Sequence, residues 1–261
     1  MVLELQDIRL SFSNSKREEL NLLTGVDLKV KEGSITAIVG GNGVGKTTLF
    51  NIISGFIKEY KGKVLIDGKD IRGIPPYKRT QVGIGRLFQG TQLMGNLTLL
   101  ENMKIASSDK TGEFPFQYII ATKAIKKEEN KKLEKATEII NNIFGPDSKY
   151  LGMLNKKASE LSYGEQRIFG IARLLMGDNK ILLLDEPTSG VNPVYIETIA
   201  KIIRHLVNNS GLTVLMIEHN MHFVKSLASY CAYLDNGKIL QYGPTDKVLN
   251  NEGVKNSYLG I

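Results

Sequence analysis

Cysteine is almost missing from this chain of 261 residues: Cys231 is the single one. No internal disulfide can form, and with no second thiol to partner it, Cys231 reads as a small buried hydrophobe in a reducing compartment. Long apolar runs are missing too. No stretch reaches the roughly 18 consecutive apolar residues that a membrane-spanning helix needs. The start, Met1-Val2-Leu3-Glu4-Leu5-Gln6-Asp7, has no basic region followed by an apolar core, which argues against a secretory signal. There is no internal repeat and no low-complexity linker. A cytoplasmic protein is expected, with any membrane role exercised through a partner.

What is present suits a soluble globular chain. Hydrophobic residues make up 42% and charged residues 23%, ordinary values for a folded domain with a full core. The net charge of +7 is mildly basic. A lysine-rich solvated surface accounts for it more simply than nucleic acid or an anionic membrane, so no nucleic-acid partner is expected.

The chain is organised around Gly40-Gly41-Asn42-Gly43-Val44-Gly45-Lys46-Thr47-Thr48. This fits G-x-x-x-x-G-K-[ST], with the uncharged strand-like run Ser34–Val39 before it and apolar residues at helical spacing after it. Glycines let successive backbone N–H groups turn inward around a polyphosphate, and the helix N-terminus adds its own unpaired donors. Lys46 is placed to reach the β- and γ-phosphates, and Thr47 to offer its hydroxyl to Mg²⁺.

Around this loop the chain reads as α/β. Val2 to Phe12 and Val26 to Val30 alternate as half-buried strands, with a polar loop over 14–19 between them. Asp67-Gly68 and Asn236-Gly237 each signal a hairpin. These strands predict an N-terminal antiparallel β layer against a nucleotide-binding core with a mixed central sheet. From 98 to 160 strand signals fade and Lys and Glu become dense. Leu133, Ala136, Ile140 and Ile143 fall on one helical face, so 98–160 is expected to be an inserted helical subdomain. Residues 1–97 and 161–261 then form the core of a single domain. The run Asn130 to Lys135 reads as a solvated helix face. Ile181–Leu184 and Leu212–Ile217 return as buried parallel strands, and Asn192-Pro193 opens a helix carrying Ile196, Ile199, Ile203 and Leu206 on its apolar face.

Three further clusters carry chemistry. Asp185-Glu186 lies at the C-terminal end of a buried strand, where α/β sheets bind ligands. Alternation aims the two carboxylates differently: Asp185 would hold Mg²⁺ through its water shell, and Glu186 would deprotonate the attacking water. His219 ends the next strand and is expected to contact the γ-phosphate. Leu161-Ser162-Tyr163-Gly164-Glu165-Gln166-Arg167 opens an apolar-periodic helix, a second anion-binding helix N-terminus in one chain.

With these clusters in order, nearly the whole chain resembles the ATP-binding cassette family of P-loop NTPases, whose LSGGQ signature Leu161 to Glu165 matches with two changes. The resemblance implies that Gln89 meets Mg²⁺ and reports nucleotide state to a transmembrane permease. It also implies that Phe12 stacks on adenine, although a core aromatic would occupy a strand in the same way. Ser189-Gly190-Val191-Asn192 sits where the family's inter-subunit loop lies, with Asn192 in place of the usual aspartate. Tyr163 and Glu165 replace a signature glycine and glutamine, leaving Ser162 and Gly164, with Glu165, to meet the phosphate in trans. Gly41 stands where many members carry proline.

Arg86-Leu87-Phe88-Gln89, Leu97 to Asn102, Gly190 to Pro193, Ile217 to Asn220 and the ending Tyr258-Leu259-Gly260 resemble the ATPase of branched-chain amino acid importers. The lipopolysaccharide-export ATPase is a near relative. The resemblance implies an ATPase using ATP and Mg²⁺, paired head to tail as a homodimer or with a sister ATPase. It would be peripheral on the inner face of the membrane, touching the bilayer only through its permease. A soluble cassette ATPase is the alternative from another class.

Overall fold

A computed structural model describes residues 2–13, 19–90, 93–107 and 122–259. Most of the polar loop drawn over 14–19, residues 108–121 of the helical region and Gly260 of the C-terminal motif lie outside the described residues. The chain divides into two compact units, residues 1–89 with 179–261, and residues 90–178. The second begins before the 98–160 span drawn from the sequence and takes in the Ser162 helix.

The first unit contains two sheets. Strands β1 (Leu3–Ser13), β2 (Glu19–Val30), β4 (Lys61–Ile66) and β5 (Lys69–Asp70) form an antiparallel sheet in the order β2-β1-β4-β5. The second sheet has six strands in the order β10-β9-β3-β8-β7-β6. They are β3 (Ile35–Val39), β6 (Ile84–Leu87), β7 (Ile181–Asp185), β8 (Thr213–Ile217), β9 (Tyr230–Asp235) and β10 (Lys238–Pro244). Every neighbouring pair from β9 to β6 is parallel, and β10 alone runs antiparallel. The expected mixed sheet and antiparallel layer are both present.

Helix α1 (Lys46–Ile53) lies between the sheets. Its Leu49, Phe50, Ile52 and Ile53 share one buried cluster with Leu5, Ile8, Val26 and Leu28 of the antiparallel sheet. The same cluster takes in Ile38, Ile181, Leu183, Leu215 and Ile217 of the parallel one. Strands β3, β7 and β8 are buried at every position, which is why they read as unbroken apolar runs rather than alternating ones. The hairpins form where expected: Asp67 and Asn236 adopt positive φ, each followed by a positive-φ glycine, the pairing a two-residue type I′ turn requires. The Gly237 carbonyl accepts from Thr24 N–H at 2.9 Å, tying the β9–β10 turn to β2. Cys231, inside β9, is wholly buried, and burial pushes its thiol up to about 12.

Short helices α2 (Pro76–Arg79), α8 (Met221–Leu227), α9 (Thr245–Leu249) and α10 (Glu252–Leu259) complete this unit with α7 (Pro193–Ser210). Asn192 caps α7 by accepting from Val194 N–H at 3.1 Å. Ile199, Ile203 and Leu206 are buried as predicted, and Ile196 is half-buried.

The second unit is helical: α3 (Leu99–Ile105), α4 (Thr122–Phe144), α5 (Lys149–Gly152) and α6 (Tyr163–Leu174). The run Leu97 to Asn102 has a structural explanation. Thr98 and Glu101 form a reciprocal capping box on α3, and buried Asn102 donates to the Met94 and Thr98 carbonyls while accepting from Met94 N–H. On α4, Ala136 and Ile140 are fully buried, but Leu133 is 40% exposed. The apolar face is real, and its neighbours cover only part of it.

Candidate active site

Parallel strands deliver their C-terminal ends to one edge of a sheet, and register decides which residues arrive together. Leu87 pairs with Leu184, and Asp185 and Ile38 each pair with Ile217. The segments leaving those strands are therefore neighbours: Gln89 after β6, Glu186 after β7, His219 after β8 and the glycine loop after β3.

The loop's glycines answer to space as well as torsion. A Cβ on Gly40 would sit 2.1 Å from the Leu234 carbonyl oxygen, a backbone atom that cannot swing away. Gly45 has φ +102°, and its Cβ would meet Leu23 at 2.7 Å. As the residue before α1, Gly45 supplies no side-chain cap. The first-turn N–H groups of α1 are thus presented by a residue that does not compete for them. Lys46 folds back over the loop, donating to the Gly40 and Gly41 carbonyls at 2.8 and 2.6 Å. Burial lowers the Lys46 pKa below the ordinary lysine value, while the charges of Glu186 and Asp185 pull the other way. Those charges place the ammonium and both strand-end carboxylates within electrostatic reach of one another.

Glu186 has φ +47°, a left-handed backbone uncommon for a side chain of its size. Its side chain has different partners from those of Asp185. Its carboxylate accepts from Gln89 Nε2 at 2.8 Å and lies 3.3 Å from His219 Nε2. The residue expected to meet Mg²⁺, Gln89, and the one expected to contact the γ-phosphate, His219, thus meet on the carboxylate expected to activate water. Asp185 goes elsewhere: its Oδ2 accepts from Arg86 Nη2 at 3.1 Å, with side chains only 2% and 5% exposed.

Arg86 is the residue whose role the sequence did not disclose. Its guanidinium also donates to Asn51 Oδ1 at 2.8 Å and Ser54 Oγ at 2.6 Å, both on or just after α1. It lies over the Phe88 ring at 4.2 Å. Desolvation lowers its pKa and Asp185 opposes the shift. One buried cation therefore ties the helix after the phosphate loop to the strand-end aspartate. All four positions of β6 are buried, Arg86 among them, and the local sequence does not mark that burial.

Phe12 is 47% exposed on β1, opposite Leu20, so it is not a core aromatic. Thr47 is exposed on the first turn of α1. Among the described residues no three or more of His, Cys, Asp and Glu gather as a metal cluster. By their chemistry the residues expected to serve the ion, the Thr47 hydroxyl, the Gln89 amide and, through water, the Asp185 carboxylate, suit Mg²⁺, which keeps its waters and binds through one or two side chains plus substrate phosphates.

Ser162, Gly164 and Glu165 lie in the second unit. Ser162 Oγ accepts from Glu165 N–H at 3.4 Å, and Glu165 Oε2 accepts from Ser162 N–H and Oγ–H at 3.1 and 2.8 Å. Partial burial raises the Glu165 pKa, but the Ser162 hydrogen bonds, with Lys149, outweigh it and hold the carboxyl below its ordinary range. Buried Arg167 donates to the Gly90 carbonyl at 3.1 Å.

Residues 23–189 match the family described as ABC transporter. The chain belongs to the ABC transporter family. It is 31% identical to the high-affinity branched-chain amino acid transport ATP-binding protein BraF of Pseudomonas aeruginosa, over 99% of this chain and 98% of that one. The ADP conformation of MJ1267, an ATP-binding cassette of an ABC transporter, superposes with a TM-score of 0.82 at 33% identity, covering 100% and 99% of the two chains. A dimeric post-hydrolysis state of the cassette MJ0796, bound to ADP and Pi, gives 0.72 at 25% identity over 93% and 98%. This ABC protein is accordingly an ATP-binding, ATP-hydrolysing subunit homologous to the importer ATPases. Among its described residues no helix is long and apolar enough to cross a membrane.

Proposed function

We propose that this ABC ATPase drives uptake of branched-chain amino acids, as two copies, or this chain and a sister ATPase, close head to tail around ATP. The observation that carries the catalytic part is Glu186, held between Gln89 and His219 at the ends of three adjacent strands. The relatives' names carry the substrate class.

In this reading the two units make one ATPase domain, the second being its helical subdomain. The loop Gly40–Gly45, with Lys46 and the first turn of α1, cradles the phosphates, and Phe12 stacks on the adenine. Thr47 and Gln89 would hold Mg²⁺, with Asp185 acting through the ion's water shell, and the bound ion would neutralise phosphate charge. Glu186 takes a proton from water as that water's oxygen bonds to the γ-phosphorus. The bond to the bridging oxygen breaks, leaving ADP and phosphate, and His219 donates to the γ-phosphate oxygens.

Ser162, Gly164 and Glu165 of the other copy close the site from the far side. The dimeric MJ0796 cassette supports that pairing. ATP bridges both copies and favours the closed dimer. Its cleavage removes the bridge, and the dimer opens. Gln89 and the helical unit pass the movement to a permease on the inner face of the membrane.

The test is Glu186→Gln. The variant should bind ATP and dimerise, while hydrolysis falls about 10²- to 10⁴-fold. Normal turnover would remove Glu186 as the base. Affinity capture from detergent extract, followed by identification of the membrane protein retained, tests the permease. Recovery of no polytopic partner would favour a soluble cassette ATPase.

A further inference from the structure

Glu218 lies between β8 and His219 with only 2% of its surface exposed. The mechanism above gives it no part, yet its carboxylate accepts four hydrogen bonds. Oε1 accepts from Thr188 N–H at 2.8 Å and Thr188 Oγ1–H at 2.7 Å. Oε2 accepts from His219 N–H at 3.0 Å and Asn220 N–H at 3.3 Å. Each oxygen thus serves a different strand end, one after β7 and one after β8. A buried carboxylate with this set of donors is held in one geometry, because each bond to a charged acceptor is strong and losing the acceptor strands buried donors.

We infer that Glu218 is a positioning residue that fixes the His219 backbone against the segment leaving Glu186, and so sets the 3.3 Å approach of His219 Nε2 to Glu186. Thr188 stands two residues after Glu186, and Ser189 N–H donates back to the Glu186 carbonyl at 3.1 Å. The 186–189 turn and His219 therefore move as one piece through Glu218. The inference rests on the reading of Glu186 and His219 given above. It adds that the run Ser189 to Asn192, which follows Thr188 directly, cannot shift without displacing His219.

The test is steady-state ATP hydrolysis by the full chain. Glu218→Gln keeps size but turns one acceptor into a donor that must face buried N–H groups. Its kcat should fall about tenfold to a hundredfold, the scale of a misplaced catalytic group. Its KM for ATP should stay within about twofold, since substrate binding is not what it loses. Thr188→Val removes one of the four bonds and should lower kcat less, while Thr188→Ser keeps the hydroxyl and should restore it.

In a His219→Ala background, Glu218→Gln should slow turnover no more than about twofold further, because the two residues act as a unit. Full activity of Glu218→Gln, or a loss that multiplies the His219→Ala loss, overturns the proposal. If Glu218→Gln does not yield folded protein, Thr188→Val decides: unchanged kcat refutes the clamp. Normal turnover by Glu186→Gln or His219→Ala would instead refute the underlying reading, whatever Glu218→Gln does.

Discussion

Helices α1 and α6 each begin where a phosphate is expected to bind, yet their first turns are built differently. Before α1 stands Gly45, which offers no cap, and the helix is secured from beneath by Arg86 through Asn51 and Ser54. Before α6 stands Ser162, whose hydroxyl is already engaged with Glu165 in a reciprocal box. The first is an open cradle on a rigid base. The second is a closed latch, which in the proposed reading would exchange one of its own hydrogen bonds for a ligand's. In that reading, where the two ends come from different copies, the first would bind nucleotide steadily and the second would engage conditionally.

Four substitutions probe that contrast. The largest effect should come from Lys46→Ala, which removes the cradle's cation; turnover should fall about 10²- to 10³-fold, as when one donor to transition-state charge is lost. A colorimetric phosphate assay reads this. Arg86→Leu attacks the base instead, leaving the Asp185 carboxylate buried without its ion-pair partner. Breaking a buried pair of this kind costs about 3–5 kcal/mol, read as a lowered urea midpoint.

Ser162→Ala should cost the latch about 1 kcal/mol of local helix stability. Nucleotide binding to dilute protein should survive, while turnover drops. Equal losses of binding and turnover would erase the distinction between the two ends. The smallest effect is that of acid on the latch. Because the folded Glu165 pKa is depressed from 4.5, its contribution is present above that value and lost as pH falls through the lower folded one. The Ser162 amide resonance should therefore titrate with a midpoint below 4.5, and Glu165→Gln should abolish the titration.

Much of the open end was legible in the sequence. Glycine spacing, an uncharged strand and a following helix are local features, and they locate Lys46 and the turn before it. Strand ends were equally readable, because burial on both faces makes β3, β7 and β8 continuous apolar runs. The hairpins at Asp67-Gly68 and Asn236-Gly237 declared themselves through residues that tolerate positive φ. What could not be read was pairing across distance. Nothing near Arg86 says that a strand will bury it beside Asp185, and nothing near Glu218 says that Thr188 will supply two of its donors. Periodicity likewise found the α4 face but not its cover, so Leu133 remains 40% exposed beside buried Ala136 and Ile140.

The position of the lone sulfur in β9 gives the molecule a built-in reporter. A thiol with no exposed surface and so little thiolate character ignores alkylating reagents while the central sheet is closed. With no other cysteine to compete, the rate at which iodoacetamide consumes it counts openings of that sheet. Bound ligand should slow the labelling in proportion to its grip.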